Sequence, residues 1–91
     1  MEILVKFLTL IESDARISSV HISLFIALWK KWMDSGIEQP LSFFRQDLVD
    51  LCKIASYNTF HKTIRELHAY GYIRYTPSYN HFLGSLVRFS E

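Results

Sequence analysis

The chain has 91 residues, of which 49% are hydrophobic and 15% aromatic, so it is too apolar for disorder and has the length of a single domain, residues 1–91. One cysteine, Cys52, excludes an internal disulfide framework, and the apolar helical pattern around it indicates a buried, unreactive thiol. The net charge is +1, but residues 1–52 carry −2 and residues 53–91 carry +3 with three of the four histidines, an asymmetry that a nucleic-acid-binding face would produce.

The N-terminal segment MEILVKFLTLIESDARI predicts a first helix over residues 2–12. Its apolar run is shorter than the roughly 20 residues that cross a bilayer, and no small-residue cleavage site follows, so we expect a cytoplasmic protein without a membrane segment or signal peptide. The helix is apolar on nearly every side, which is typical of a helix that is either buried in the core or paired with a second chain. The candidate homodimer contacts are Ile3, Phe7, Leu10 and Ile11.

Ser18 and Ser19 offer an N-cap for a second helix, and Gly36 suits the left-handed position that ends it. Apolar residues recur in this helix at helical spacing and predict a core stripe of Ile22, Phe25, Ile26, Trp29, Trp32 and Met33. A lesser alternative is that Trp29 and Trp32 form a platform on which bases stack.

Two short elements follow the second helix. QPLSFF is typical of an extended segment, because Pro40 pushes Gln39 toward extended geometry. RQDLVDLCKI predicts a short helix whose inward residues are Leu48, Leu51 and Cys52.

The segment ASYNTFHKTIRELHAYG has the clearest helical pattern of the chain. Ser56 can cap this helix, Gly71 ends it, and its inner stripe is Phe60, Ile64 and Leu67. Beyond Gly71 the period changes to two in YIRYT and SLVRF, which predicts a hairpin over residues 72–89. The predicted fold is therefore mainly α with a small β-hairpin (α+β): a winged helix-turn-helix with its helix pair at about residues 44–70 and an extra N-terminal helix.

The face of this helix opposite the inner stripe carries groups that suit DNA, and no acid occurs between Lys53 and Arg65. The Asn58 amide can pair with an adenine edge, whereas Arg65 or His61 can reach guanine or phosphate. Ser56 and the free N–H groups of the helix start add an anion site. The predicted major-groove contacts are Ser56, Tyr57, Asn58, His61, Lys62 and Arg65.

The hairpin offers a second set of contacts. Arg74 and Arg88 lie on its strands and can flank a phosphate backbone. The residues at its turn that can enter a minor groove or press on a sugar are Tyr79, Asn80 and His81. In the alternative, the rings fold back and close the core beneath the hairpin, and this applies to Tyr75, Tyr79 and Phe82.

The segments HISLFIALWKKW and FFRQDLVDLCKIASYNTFHKTIRELHAYGYIRYTPSYNHFLGSLVRF resemble a group of small winged-helix proteins from Bacteroides-type bacteria, which are often associated with mobile elements. The resemblance covers residues 20–89, and its most specific part is the pattern PSYN followed by GS. It implies a winged helix-turn-helix fold and DNA binding in transcription regulation or element maintenance. By this likeness the recognition helix contributes Ser56, Thr59, His61 and Lys62, and the wing contributes Pro77, Ser78, Tyr79, Asn80, Gly84 and Ser85.

The chain departs from the group's pattern at three positions. Phe44 stands where a capping serine is expected, Ala55 where a glycine is expected, and His81 where a proline is expected. The last two positions bear on how the helix and the wing meet DNA, so the resemblance implies a different sequence preference.

The predicted function is binding of double-stranded DNA, as a transcription regulator or a mobile-element accessory factor. The alternative is a winged-helix module that binds proteins and not DNA. Catalysis is unsupported, because His61 and His68 are seven residues apart, too far to share a metal alone, and no paired carboxylates face each other. We therefore expect no catalytic residue, metal site, cofactor or small-molecule substrate.

Overall fold

The computed structural model describes residues 2–79 and 82–89, which form four helices and three strands. The elements in chain order are α1 (Glu2–Ile11), α2 (Ser19–Asp34), β1 (Leu41–Phe43), α3 (Arg45–Cys52), α4 (Tyr57–Ala69), β2 (Ile73–Thr76) and β3 (Ser85–Phe89). The protein is thus a mixed α+β domain with a small antiparallel sheet. Within the described residues, no helix is both long and apolar enough to cross a membrane.

The predicted helix ends are confirmed where local chemistry sets them. Ser18 is the N-cap of α2, and Gly36 follows that helix in the left-handed region at a φ of 94°. The Ser56 hydroxyl accepts a hydrogen bond from the Thr59 N–H at 3.3 Å, which caps the start of α4. Gly71, with a φ of 89°, ends α4 and turns the chain into β2.

The sheet has the order β1-β3-β2, with both neighbouring pairs antiparallel. Leu41 lies opposite Val87, so the short extended segment predicted at QPLSFF is the third strand of the sheet. Gly84 permits this pairing, because a Cβ at that position would lie 2.7 Å from both the Phe43 carbonyl oxygen and the Ser42 Oγ. The hairpin is thereby fixed to β1 and, through β1, to the helices.

The core lies between the helices and one face of the sheet. Phe7 of α1 stacks on Phe25 of α2, with ring centroids 3.7 Å apart and an interplanar angle of 5°. Phe25 and Trp32 in turn contact the Phe89 ring of β3, at centroid distances of 5.5 and 4.9 Å. The N-terminal helix is therefore part of the same core as the sheet, and Cys52 is buried there as predicted.

Two predictions about inward faces are confirmed for Phe25, Trp32, Leu48 and Cys52, which are buried, and are wrong for one residue each. In α2 the fully buried residues include Leu24 and Leu28, whereas Met33 is exposed, because α2 packs against both α3 and α4 and its buried arc is wider than one stripe. In α3, Leu51 is 47% exposed. The two-turn helix buries a narrow arc around Leu48 and Cys52, and Leu51 falls outside its edge.

The connection between α1 and α2 is joined to the end of α4 by polar contacts. The Tyr72 hydroxyl donates to Asp14 Oδ2 at 2.6 Å, and the Arg16 guanidinium donates to both Asp14 oxygens at 2.9 and 2.8 Å. Arg16, and then Tyr72, hold the pKa of the Asp14 carboxyl well below its usual range. The guanidinium also lies 4.2 Å from the centre of the Tyr70 ring, a cation–π contact.

Candidate nucleic-acid interface

Helix α4 divides into a buried and a solvent-facing side as its sequence predicts. Phe60, Ile64 and Leu67 are buried against α2 and the sheet. Of the residues predicted to contact DNA, His61 is half-buried and the others on this helix and its cap are exposed, namely Ser56, Tyr57, Asn58, Thr59, Lys62 and Arg65. The helix therefore presents a continuous row of hydroxyl, amide and basic groups to solvent.

The single acid of α4, Glu66, lies one turn after Lys62 and is paired with a buried histidine of α2. The Ser18 backbone N–H donates to His21 Nδ1 at 3.0 Å, so Nδ1 is an acceptor and Nε2 carries the ring hydrogen. Nε2 donates that hydrogen to Glu66 Oε1 at 3.0 Å. Because His21 is buried, this contact draws the Glu66 carboxylate toward α2, and the Glu66 side chain is 31% exposed.

Arg45, the first residue of α3, also belongs to this region, which the sequence did not indicate. One of its terminal nitrogens donates to the Ala55 carbonyl oxygen. Its guanidinium carbon lies 5.9 Å from the centre of the Tyr57 ring and 5.8 Å from that of the Phe60 ring. These contacts bring a cation from α3 to the start of α4. In the sequence, the one signal for this position was that Arg45 closely follows the extended segment. Because the place of that segment in the sheet was not predicted, the contact of Arg45 with α4 was not predicted either.

His61 lies at the centre of the aromatic and basic groups. Its ring centroid is 4.2 Å from that of Tyr57 and 5.5 Å from that of Phe60. Burial lowers the pKa of His61, and the nearby charges of Arg65 and Arg45 lower it further. The imidazole is consequently neutral near pH 7 and can both donate and accept a hydrogen bond.

The strands of the hairpin carry two arginines on the side that faces away from the helices. Arg74 of β2 lies directly opposite Arg88 of β3, and both side chains are exposed. Their neighbours Ile73 and Phe89 point the other way, into the core. Arg74 is therefore not brought together with the α4 residues, and the two arginines form a separate basic position on the outer face of the sheet.

The rings of the hairpin differ in their burial. Tyr75 packs against the core, and its backbone N–H donates to His68 Nδ1 of α4 at 3.0 Å. Tyr79 and Phe82 are 94% and 89% exposed. Of the three hairpin rings that the alternative places against the core, therefore, only Tyr75 lies there. The predicted contacts Asn80 and His81 lie outside the described residues.

A cleft of about 540 Å³ separates the starts of α3 and α4 from the hairpin. It brings together Tyr57 and His61 of α4 with Tyr79 of the hairpin, three of the predicted contact residues. Aromatic side chains dominate its lining: Phe43, Phe44, Tyr57, Phe60, Tyr75 and Tyr79. Arg45 and Gln46 add polar groups from α3, and Ser78 and Ser85 add hydroxyls from the hairpin.

The protein is an α+β domain in which an antiparallel hairpin directly follows two short helices. No protein-family model, curated protein or solved structure matches the chain. Within residues 2–79 and 82–89, no group of three or more His, Cys, Asp or Glu side chains is placed to hold a metal ion. The chemistry that the described residues offer is hydrogen bonding and positive charge along α4, with a ring-lined cleft beside it.

Proposed function

We propose that this protein is a winged helix-turn-helix protein that binds double-stranded DNA. In this proposal α3 and α4 are the helix pair, and α4 with its cap Ser56 enters the major groove as the recognition helix. The hairpin of β2 and β3 is the wing, which contacts the phosphate backbone or the minor groove. The resemblance to small winged-helix proteins of Bacteroides-type bacteria supports a role in transcription regulation or in a mobile element.

The outer side of α4 is the observation that carries this proposal. Asn58, Lys62 and Arg65 are exposed on it, and the one acid of α4, Glu66, is paired with the buried His21. An amide can read an adenine edge, whereas the lysine and arginine can contact phosphate or guanine. Arg45 and the Ser56-capped helix start add positive charge and backbone N–H groups at one end of the row.

The test is fluorescence anisotropy with a random duplex at about 50 and 200 mM salt, since phosphate contacts make binding steeply salt-dependent. We expect Lys62→Ala to weaken binding to all sequences and to lower the salt slope by about 1. Lys6→Ala is the matched control, because Lys6 is exposed on α1, outside the proposed interface. Salt-independent binding by the wild type, or an equal loss in Lys6→Ala, would refute the assignment of α4.

A protein-binding module is the second candidate, and the exposed apolar side chains of the hairpin favour it. Tyr79, Phe82 and Leu83 are all more than half exposed, as an anchor for a partner protein would be. Absence of DNA binding at both salt concentrations, with a partner lost in Phe82→Ser, would select this function over the first.

A homodimer through α1 is part of the proposal, because two short recognition helices give more contacts than one. Of the four predicted contact residues, Phe7 is a core residue, and Ile3 and Ile11 are half-buried beside it. Leu10 is 50% exposed and is the residue of the set that remains open to a second chain.

A further inference from the structure

We propose that the cleft between α4 and the hairpin holds one unpaired nucleotide, so that the preferred ligand is DNA with an unstacked base and not uniform duplex. This inference rests on the proposed DNA binding. It specifies which kind of DNA the cleft part of the interface would bind. It also assigns a role to the exposed hairpin ring Tyr79, which contact of α4 with a major groove does not use.

The rings that line the cleft come from β1, α4 and the hairpin. Tyr57 stands at the start of α4 and is 64% exposed, while Tyr79 stands on the hairpin and is almost fully exposed. Phe43 and Phe60 also line the cleft and are buried. Without a ligand, an exposed ring keeps its apolar surface in contact with water. A base that stacks on such a ring raises the binding affinity by about 5- to 150-fold.

The charge of the cleft selects an anionic ligand. Arg45 lines it, Lys62 and Arg65 lie on the adjoining face of α4, and its described lining residues include no carboxylate. A neutral apolar peptide carries no group that pairs with this positive charge. A nucleotide presents a phosphate to the cations and a ring face to the tyrosines. Charge complementarity therefore favours nucleic acid over a protein segment as the occupant.

The edges of a base also find hydrogen-bonding partners in the cleft. The Gln46 amide lies at the start of α3, and the hydroxyls of Ser78 and Ser85 lie at the neck of the hairpin. The Ser78 N–H donates to Ser85 Oγ at 3.4 Å, which ties the two sides of the hairpin neck together. An amide and hydroxyls can donate and accept, so this set accommodates different bases.

The volume of the cleft suits a single unpaired base. A volume of about 540 Å³ is within the range of about 300–1,000 Å³ that holds small ligands. A base inside a duplex reaches such a site only after it leaves the stack, which costs the free energy of unpairing and unstacking. An unpaired base does not incur this cost. The cleft consequently discriminates in favour of bulged, gapped or frayed DNA.

The experiment compares two fluorescein-labelled probes, a matched duplex and the same duplex with one unpaired 2-aminopurine, by anisotropy and by 2-aminopurine emission. We expect the wild type to bind the bulged probe at least about fivefold more tightly and to quench its 2-aminopurine by stacking. Tyr57→Leu and Tyr79→Leu should abolish the preference and the quenching, because a leucine side chain offers no ring on which a base can stack.

Phe82→Leu is the matched control, because Phe82 is an exposed hairpin ring that does not line the cleft. Its preference and quenching should equal those of the wild type, and circular dichroism should show all variants folded. Equal binding of both probes by the wild type, with no change in 2-aminopurine emission, would overturn the inference and leave duplex binding intact. Absence of salt-dependent binding to either probe would overturn both proposals.

Discussion

Arg74 and Arg88 occupy directly opposed positions on neighbouring antiparallel strands, with both side chains exposed to solvent. Like charges that face each other across a strand pair destabilise it by roughly 0.2–1 kcal/mol relative to a neutral pair. Among residues 2–79 and 82–89, neither arginine has an ion-pair partner. The arginine pair thus destabilises the sheet slightly, at a position where both side chains can contact a phosphate backbone.

The first prediction follows from that pair. Replacing Arg88 by Thr, which suits a strand, should raise the free energy of unfolding in urea by roughly 0.2–1 kcal/mol and weaken binding to duplex DNA. Arg74→Thr should act in the same way, and the double variant should gain less stability than the sum of the two, because the repulsion is removed only once. A loss of stability in both single variants would show that the pair does not repel.

The second prediction concerns Gly84, where the hairpin meets β1. A Cβ there would lie 2.7 Å from the Phe43 carbonyl oxygen and from the Ser42 Oγ, so Gly84→Ala forces the strands apart. We expect a loss of about 1–3 kcal/mol in the free energy of unfolding, measured by urea denaturation. Ser42→Ala removes one of the two close contacts, so the double variant should recover part of this loss. Wild-type stability in Gly84→Ala would contradict the close approach.

The contrast between α4 and this junction shows what the sequence could predict. The cap Ser56, the terminator Gly71 and the inner stripe of α4 follow from local chemistry and helical period, and all three are confirmed. The pairing of β1 with β3 is not local, since it joins residues more than 40 positions apart. Arg45 and the ring-lined cleft depend on that pairing, so they could not be placed before the structure was known.

The third prediction is a pH dependence of stability at Asp14. Arg16 and Tyr72 lower the pKa of its carboxyl in the folded state, so the stabilisation is complete above the ordinary carboxyl pKa of about 3.9 and is lost as the pH falls below it. Asp14→Asn should therefore destabilise the protein at pH 7, and the difference from wild type should shrink below about pH 4.

Urea denaturation of Asp14→Asn and wild type at several pH values measures this difference. Asp34→Asn serves as the control, because Asp34 forms an ion pair with Lys30 in which both side chains are more than half exposed. Such a surface pair contributes little, so this variant should track the wild type throughout. A difference between Asp14→Asn and wild type that stays constant from pH 7 to pH 3 would contradict the assignment.

The fourth prediction concerns His61 and rests on the proposed DNA binding. Burial, Arg65 and Arg45 lower the pKa of this imidazole in the free protein, and DNA phosphates beside it would raise that pKa. Binding should then take up a proton, so affinity should rise as the pH falls from about 7.5 to 5.5, by up to about tenfold per unit of pKa change. His61→Gln should flatten this dependence in anisotropy titrations, and an unchanged pH profile in that variant would place the proton elsewhere.

The fifth prediction tests self-association through α1 with a pair of matched substitutions. Val5 and Leu10 are exposed to similar extents, but they point about 140° apart around the helix axis, and only Leu10 belongs to the proposed contact. If two chains meet at the Leu10 side, Leu10→Glu should convert a dimer to a monomer in sedimentation equilibrium, whereas Val5→Glu should leave the dimer intact. Neither substitution disturbs Phe7, so both variants should keep the stacking of Phe7 on Phe25 and unfold as the wild type does. A wild type that sediments as a monomer across the concentration range would rule out the α1 dimer, and each DNA complex would then contain one recognition helix.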